Sequence, residues 1–153
     1  MWRRGRRASI GGVGDFVRDD DDDLRNKMLN YGYAVVRAGV ARALVASGFL
    51  PAFGLKHDGA ANAFNLADDL VEPFRPFVDA LACKTFRDGT DKNGDLTLED
   101  RRSMAGALLL NGKVGEGKVS LLVAAEMAAA SLSRALEFEK PAFLELPELE
   151  RDS

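Results

Sequence analysis

LNYGYAVVRAGVARAL, Leu29 to Leu44, and GFLPAFGLKHDGAANAFNLADDLVEPFRPFVD, Gly48 to Asp79, are the stretches on which the fold turns. In the first, Leu29, Tyr33, Val36, Val40 and Leu44 recur every three or four residues, which is one apolar stripe of a helix. The pattern predicts a helix from about Leu24 to Ser47, capped by Asp22 or Asp23 and ended by Gly48 with Pro51 beyond it. Gly32, Ala34, Ala38, Gly39, Ala41 and Ala43 make that helix thin, so a neighbour can approach closely. In the second stretch a loop, Phe49 to Asn62, precedes a helix starting near Ala63, with Leu66, Leu70, Phe74, Phe77 and Leu81 as its buried stripe. Pro73 and Pro76 fall inside that stripe; each removes a backbone donor and crowds the preceding turn, which predicts a kink just after Glu72.

Outward from this centre the same reading continues. Asp88 to Asp95 is a turn, and Thr97 with Asp100 approximates a capping box for a helix over Leu98 to Leu110. Asn111 to Lys118 reads as another turn. Val119 to Phe138, rich in Ala, Leu and Met, reads as the last long helix, halted by Pro141. The tail carries LELPEL, Leu144 to Leu149. No alternating pattern of useful strand length and no internal repeat occurs, so the expected fold is all-α: a helical bundle whose kinked helix bears the acidic pair. Residues 1–23 differ from the rest, with five arginines, a glycine-rich stretch (Gly11, Gly12, Gly14) and the acidic run Asp19 to Asp23. Like charges in a row repel, so 1–23 reads as a loose arm and 24–153 as one helical domain.

A chain of 153 residues fits one such core. No apolar run approaches the ~20 residues that span a bilayer, and the basic start MWRRGRRASIGG lacks the apolar centre of a secretory signal. A single cysteine, Cys83, excludes an internal disulfide and suits a reducing cytoplasm; lying among apolar helix residues, it reads as a small buried hydrophobe. The net charge of −3 argues against coating nucleic acid by bulk attraction but leaves room for a local phosphate-binding patch. Lys56, Arg75, Lys84 and Arg87, with Arg101 and Arg102, are candidates for that patch, and equally for an ordinary solvated surface.

The chemistry-bearing residues cluster around the expected kink. Asp69 and Glu72 stand at i, i+3 and Asp68 and Glu72 at i, i+4, so Glu72 shares a helix face with either acid. His57, the sole histidine, precedes Glu72 by fifteen positions. Two carboxylates and an imidazole suit a divalent cation: oxygens accommodate Mg2+ or Mn2+, and the nitrogen tilts the choice to Mn2+. Such a cation polarises a phosphodiester and activates a hydroxyl nucleophile. Spacing alone leaves the bland alternative standing, with Asp68 and Asp69 solvated and His57 an ordinary loop residue.

These segments resemble one family, the spacer-acquisition integrase of CRISPR adaptation, an endonuclease that inserts captured DNA into a repeat array. Its helical domain has a Gly-aliphatic-x-His loop, a short spacer with Asn and Phe, and a helix reading aliphatic-Ala-x-Asp-x-x-Glu-Pro-Phe-Arg-Pro. Here these stand as GLKH, Gly54 to His57, and NAFNLADDLVEPFRP, Asn62 to Pro76. Agreement runs from about Gly14 to the closing LPEL, Leu146 to Leu149. The resemblance implies a cytoplasmic prokaryotic enzyme whose metal, Mg2+ or Mn2+, is held by His57 and Glu72, with Asp69 a further acid at or behind it. It implies transesterification by a 3′-hydroxyl, with double-stranded DNA, a second copy of the chain and a second small CRISPR adaptation protein as partners. Lys56 departs from the family, where a second histidine is common.

The family also supplies a glutamate upstream of the first helix, where this chain has only arginines and glycines. A reading-frame difference over codons 1 to 12 accounts for that: with suitable synonymous codons a shifted frame encodes V-E-A-R-A-A-R-F-Y-W-R-G, which resembles the missing motif. On that expectation the chain is the C-terminal piece of a broken or mis-started gene, without the family's N-terminal β-domain and impaired in activity. Two other readings are open. Asp91-Lys-Asn93-Gly-Asp95 imitates the start of an EF-hand, but Leu96 stands where glycine is needed and Arg102 where a bidentate Glu belongs, so a polar turn fits better. The other is a non-catalytic helical scaffold that binds partners.

Overall fold

A computed structural model describes residues 23–56, 61–86 and 94–150. Within them the protein is mostly helical: α1 Leu24–Ala46, α2 Asn65–Val71, α3 Arg75–Thr85, α4 Leu98–Ala105 and α5 Leu121–Glu137, with a hairpin of β1 Asn111–Val114 and β2 Gly117–Ser120 between α4 and α5. The arm expected over 1–23 lies outside the described residues except for Asp23.

α1 is the axis of the domain, and α2, α3, α4 and α5 all pack against it. Its start follows from Asp23, whose Oδ1 accepts the Arg25 amide at 3.2 Å and satisfies one of the helix's orphan donors. Its end is a Schellman turn: Gly48 takes φ +86°, its amide reaches Val45 O at 3.0 Å, and the Phe49 amide reaches Leu44 O at 2.9 Å. The positive φ is why glycine stands there. Met28, Leu29, Val36, Val40 and Leu44 are buried along α1. The thinness expected of α1 is used in two places. A Cβ on Gly32 would lie 2.6 Å from Val78 Cγ1 and 2.7 Å from Met104 Cε, and one on Gly39 would lie 2.8 Å from Leu108 Cδ2. Against α1, α5 packs with Ala124, Ala125, Ala128 and Ala129, all buried, and with buried Leu121 and Leu132.

The kink falls where the prolines predict. α2 stops at Val71, a 3₁₀ turn covers Glu72–Phe74, and α3 resumes at Arg75. Pro76 has no amide for the Glu72 carbonyl, so the Arg75 amide takes it instead, which tightens the turn from α to 3₁₀. Phe74, fully buried, pins the break to the core.

The all-α expectation omits the hairpin. Asn111–Lys118, read as a turn, is two paired strands with Asn111 opposite Ser120 and Val114 opposite Gly117, turned through Gly115 at φ +58°. Four-residue strands with one buried face are too short to show an alternation in sequence. Val119 and Ser120 consequently belong to β2, and Ser120 caps α5. The tail folds back onto β1, where Lys113 and Glu148 exchange both backbone bonds, at 3.0 and 2.8 Å, and buried Ser131 of α5 accepts the Glu145 amide at 2.9 Å. The Thr97–Asp100 capping box is complete, with bonds of 2.8 and 3.1 Å; α4 gives way to a 3₁₀ turn over Gly106–Leu109 instead of continuing as α-helix to Leu110.

Cys83 is exposed, not buried. The buried face of α3 runs through Phe77, Val78 and Ala82, and one further residue turns about 100° away from it. No helix among the described residues is long and apolar enough to cross a membrane.

Candidate metal and nucleic-acid site

The loop between α1 and α2 is fastened to α2 at several points, and an unmet backbone amide of α2 explains the first. A helix begins with amides that have no intrahelical partner; here the Leu66 amide donates to Pro51 O at 2.7 Å, and the Asn65 side chain donates to Ala52 O at 3.1 Å. One turn on, the Asp69 carboxylate accepts two amides with the same oxygen: Leu55 N–H at 2.6 Å and Lys56 N–H at 2.9 Å. The next residue in the chain is His57. It lies outside the described residues, as does Arg87.

The far end of the loop is held by the other acid. Asp68 and Arg37 form a two-pronged ion pair, Nε to Oδ1 at 2.5 Å and Nη2 to Oδ2 at 2.7 Å. Asn62 joins both, donating to Asp68 at 2.7 Å and accepting from Arg37 at 3.2 Å. Its Oδ1 also accepts the Phe64 amide at 3.0 Å, an Asx-type turn, and the Arg37 guanidinium lies over the Phe64 ring at 4.7 Å. Asp68 and Asp69 are therefore half-buried and bonded, not the solvated acids of the bland alternative.

Glu72 is different. At the first position of the 3₁₀ turn its side chain is 57% exposed, and its ion pair with Arg75 is 3.3 Å long. Arg75 is in turn set over the Tyr33 ring of α1 at 5.0 Å, and Tyr33 donates to Asp79. Arg75 is thus tied into the α1–α3 contact as well as being a candidate for phosphate. Among the described residues no three His, Cys, Asp or Glu side chains converge as a metal cluster; a set that includes His57 falls outside that statement.

The other basic candidates are spread out. Lys56 is exposed at the loop. Lys84 is nine residues beyond Arg75, roughly 14 Å along α3, and lines a groove with Glu99 and Asp100, so its surroundings carry both signs. Arg101 and Arg102 are exposed on α4. In the EF-hand-like segment, Asp91 and Asn93 lie outside the described residues, while Asp95 pairs with Lys27 of α1 at 3.0 Å. That hydrogen bond holds the Asp95 carboxyl below its ordinary range, and the contact fits a turn tied to α1.

Arg37 and Asn62 did not stand out in the sequence as site residues. A signal exists for the first: between Lys27 and Ala46 the only charged residues are Arg37 and Arg42, and a cation inside an apolar helix needs a partner.

A helical domain with an acid-fastened loop beside a proline-broken helix is the class these elements define. The family model described as CRISPR associated protein Cas1 matches residues 17–113, more than half of the chain. A protein of Neisseria meningitidis serogroup C (strain 8013), named CRISPR-associated endonuclease Cas1, is 36% identical over 134 residues, covering 88% of this chain and 43% of that protein. Thermus thermophilus has a CRISPR-associated endonuclease Cas1 1 that is 33% identical over 132 residues, 85% of this chain and 39% of its own. A CRISPR-associated endonuclease Cas1 1 of Saccharolobus solfataricus is 37% identical over 90 residues, 58% of this chain and 26% of its own. The chain belongs to the Cas1 family, and it spans less than half the length of these relatives.

Proposed function

We propose that this chain carries the helical catalytic domain of a metal-dependent DNA endonuclease and integrase of CRISPR adaptation, which inserts spacer DNA into the repeat array for antiviral defence. The observation that carries the reading is the fastening of Leu55 and Lys56, immediately before His57, to Asp69, which precedes Glu72 by three residues. Membership of a family whose relatives are named endonucleases supports it.

The donor chemistry suits Mg2+ or Mn2+: Glu72 is an exposed carboxylate whose long contact with Arg75 leaves it able to turn towards a cation, and His57 contributes an imidazole. His57 and Glu72 would hold the ion, which when bound offsets charge developing on a phosphodiester. Asp69 keeps the loop against the helix. Arg75 balances the Glu72 charge when the metal is absent and is the basic group nearest it in the chain; Lys56, Lys84 and Arg87 are the further candidates for phosphate. The proposed partners are double-stranded DNA, a second copy of the chain and a second small CRISPR adaptation protein, in a prokaryotic cytoplasm.

Cleavage or strand transfer on branched DNA in the presence of Mn2+ tests the reading. The expected result is weak product with the parent chain, impaired as it is by the missing upstream glutamate, and none with Glu72→Ala. Equal product from both, or none from the parent, contradicts it.

A further inference from the structure

The two long helices end in the same kind of turn, but with different residues at its left-handed position. In α1 that residue is Gly48. At the end of α5 the Lys140 amide reaches Ala135 O at 3.0 Å and the Glu139 amide reaches Leu136 O at 3.3 Å, again a Schellman turn, and here the left-handed residue is Glu139, at φ 51°. A side chain in that conformation is strained where glycine is not, and among the described residues Glu139 is the sole non-glycine with positive φ. Beyond this turn the Phe138 and Phe143 rings meet edge-on at 5.4 Å, and residues 144–150 run back along α5 and the hairpin. There the Glu145 amide donates to Ser131 Oγ, Arg134 pairs with Glu145 at 2.7 Å, Lys113 and Glu148 exchange both backbone bonds, and Lys118 pairs with Glu150 at 2.9 Å. Of residues 144–150 only Pro147 is buried. Polar bonds with little apolar burial mark a segment that opens ahead of the core.

We propose that residues 144–150 are an exchangeable arm: the edge of β1 away from β2 is a strand-docking site, filled in a single chain by its own tail and, when the turn at Glu139 opens, by the same segment of a second copy. Every contact of the tail named above is with α5, β1 or β2, which a second copy offers equally, so exchange loses none of them. What changes is the turn. With Glu139 at right-handed φ, α5 runs on and the tail leaves it outward, because Lys140 precedes Pro141 and is disfavoured in a helix. The strain is then relieved at both turns of the exchanged pair, and a strained short connection favours exchange. Charge selects the occupant. Lys113 and Lys118 stand directly opposite each other on the hairpin, like charges that destabilise a ladder; an arm that sets Glu148 opposite Lys113 and Glu150 against Lys118 answers both. The second copy proposed above as a partner thus gains a surface of its own, and nothing in the exchange depends on a cation at Glu72.

Where the arm docks can be read by cysteine placement in full chains carrying Cys83→Ser. Lys113 and Glu148 are a hydrogen-bonded antiparallel pair, with Cα atoms about 5.5 Å apart, within reach of a disulfide. Chains with Lys113→Cys and chains with Glu148→Cys, mixed at about 1 mM, the effective concentration a short connection sets, should form a covalent dimer on mild oxidation. Lys113→Cys mixed with Glu126→Cys, an exposed α5 residue that faces Arg42, measures collision alone and should give much less. Glu139→Gly removes the strain from the closed chain and should lower the dimer about 5- to 30-fold for each turn relieved. A dimer no more abundant than the Glu126→Cys background overturns the proposal, and so does one that Glu139→Gly leaves unchanged. Both cysteines in one dilute chain should close an internal disulfide; failure to close overturns the docking of the tail and the proposal with it. Each of these results leaves Mn2+ affinity untouched, so the metal-site reading fails or stands separately.

Discussion

The two sides of α1 hold their neighbours by different means. Towards α3, α4, α5 and the 3₁₀ turn after α4 the contact is made by volume. Gly32 and Gly39 admit Val78, Met104 and Leu108, and four alanines of α5 are fully buried against the core. Towards the loop and α2 the contact is made by hydrogen bonds, with Arg37 reaching Asp68, Asn62 and Phe64 from the middle of the same helix. The first kind of contact is non-directional and sets how tightly the helices approach; the second is directional and sets where a short polar segment lies. Stability should reside in the first and site geometry in the second.

Breaking the apolar side should have the largest effect. Phe74→Ala removes a fully buried ring at the bend and should cost about 3–5 kcal/mol, read by chemical denaturation. Gly32→Leu forces side-chain atoms into the space of Val78 and Met104, and should cost about 1–3 kcal/mol through overpacking, read the same way.

The polar side should respond differently. Arg37→Met leaves Asp68 without its guanidinium; both partners keep some contact with water, which limits the loss to about 1 kcal/mol. The clearer readout is amide hydrogen exchange, which should rise at Phe64 and Leu66 while α5 stays protected. Glu72→Gln sharpens the contrast most: its side chain is exposed, so stability should change by less than about 0.5 kcal/mol while Mn2+ affinity disappears. The smallest effect belongs to the Lys27–Asp95 pair. Its carboxyl is held low by Lys27, so the contribution is present above the ordinary carboxylate range and lost as pH falls through the lowered value. Asp95→Asn should flatten that acid limb slightly, seen in melting temperature against pH.

The same division explains what the sequence made legible. Volume and periodicity leave marks every three or four residues, so α1, the proline break at Glu72 and the capping of α4 could be read directly from Val36, Pro73 and Thr97. Hydrogen-bonded detail leaves no period. Nothing in the spelling of Asp68-Asp69 says that one oxygen would take two loop amides and the neighbouring side chain an arginine from another helix. The hairpin escaped for a related reason: its four-residue strands are held by backbone bonds that leave no period, between β1 and β2 and from Lys113 to Glu148, the latter a partner that only tertiary folding supplies. Cys83 was misplaced because it adjoins Ala82 in sequence but faces away from it on α3.

The most direct test of the central claim uses the fact that His57 is the only histidine, so its ring signals need no assignment. On addition of substoichiometric Mn2+, paramagnetic broadening should erase those signals in the parent chain and leave them sharp in Glu72→Ala. Ring signals that stay sharp in the parent, or broaden equally in both proteins, would contradict a cation shared between His57 and Glu72.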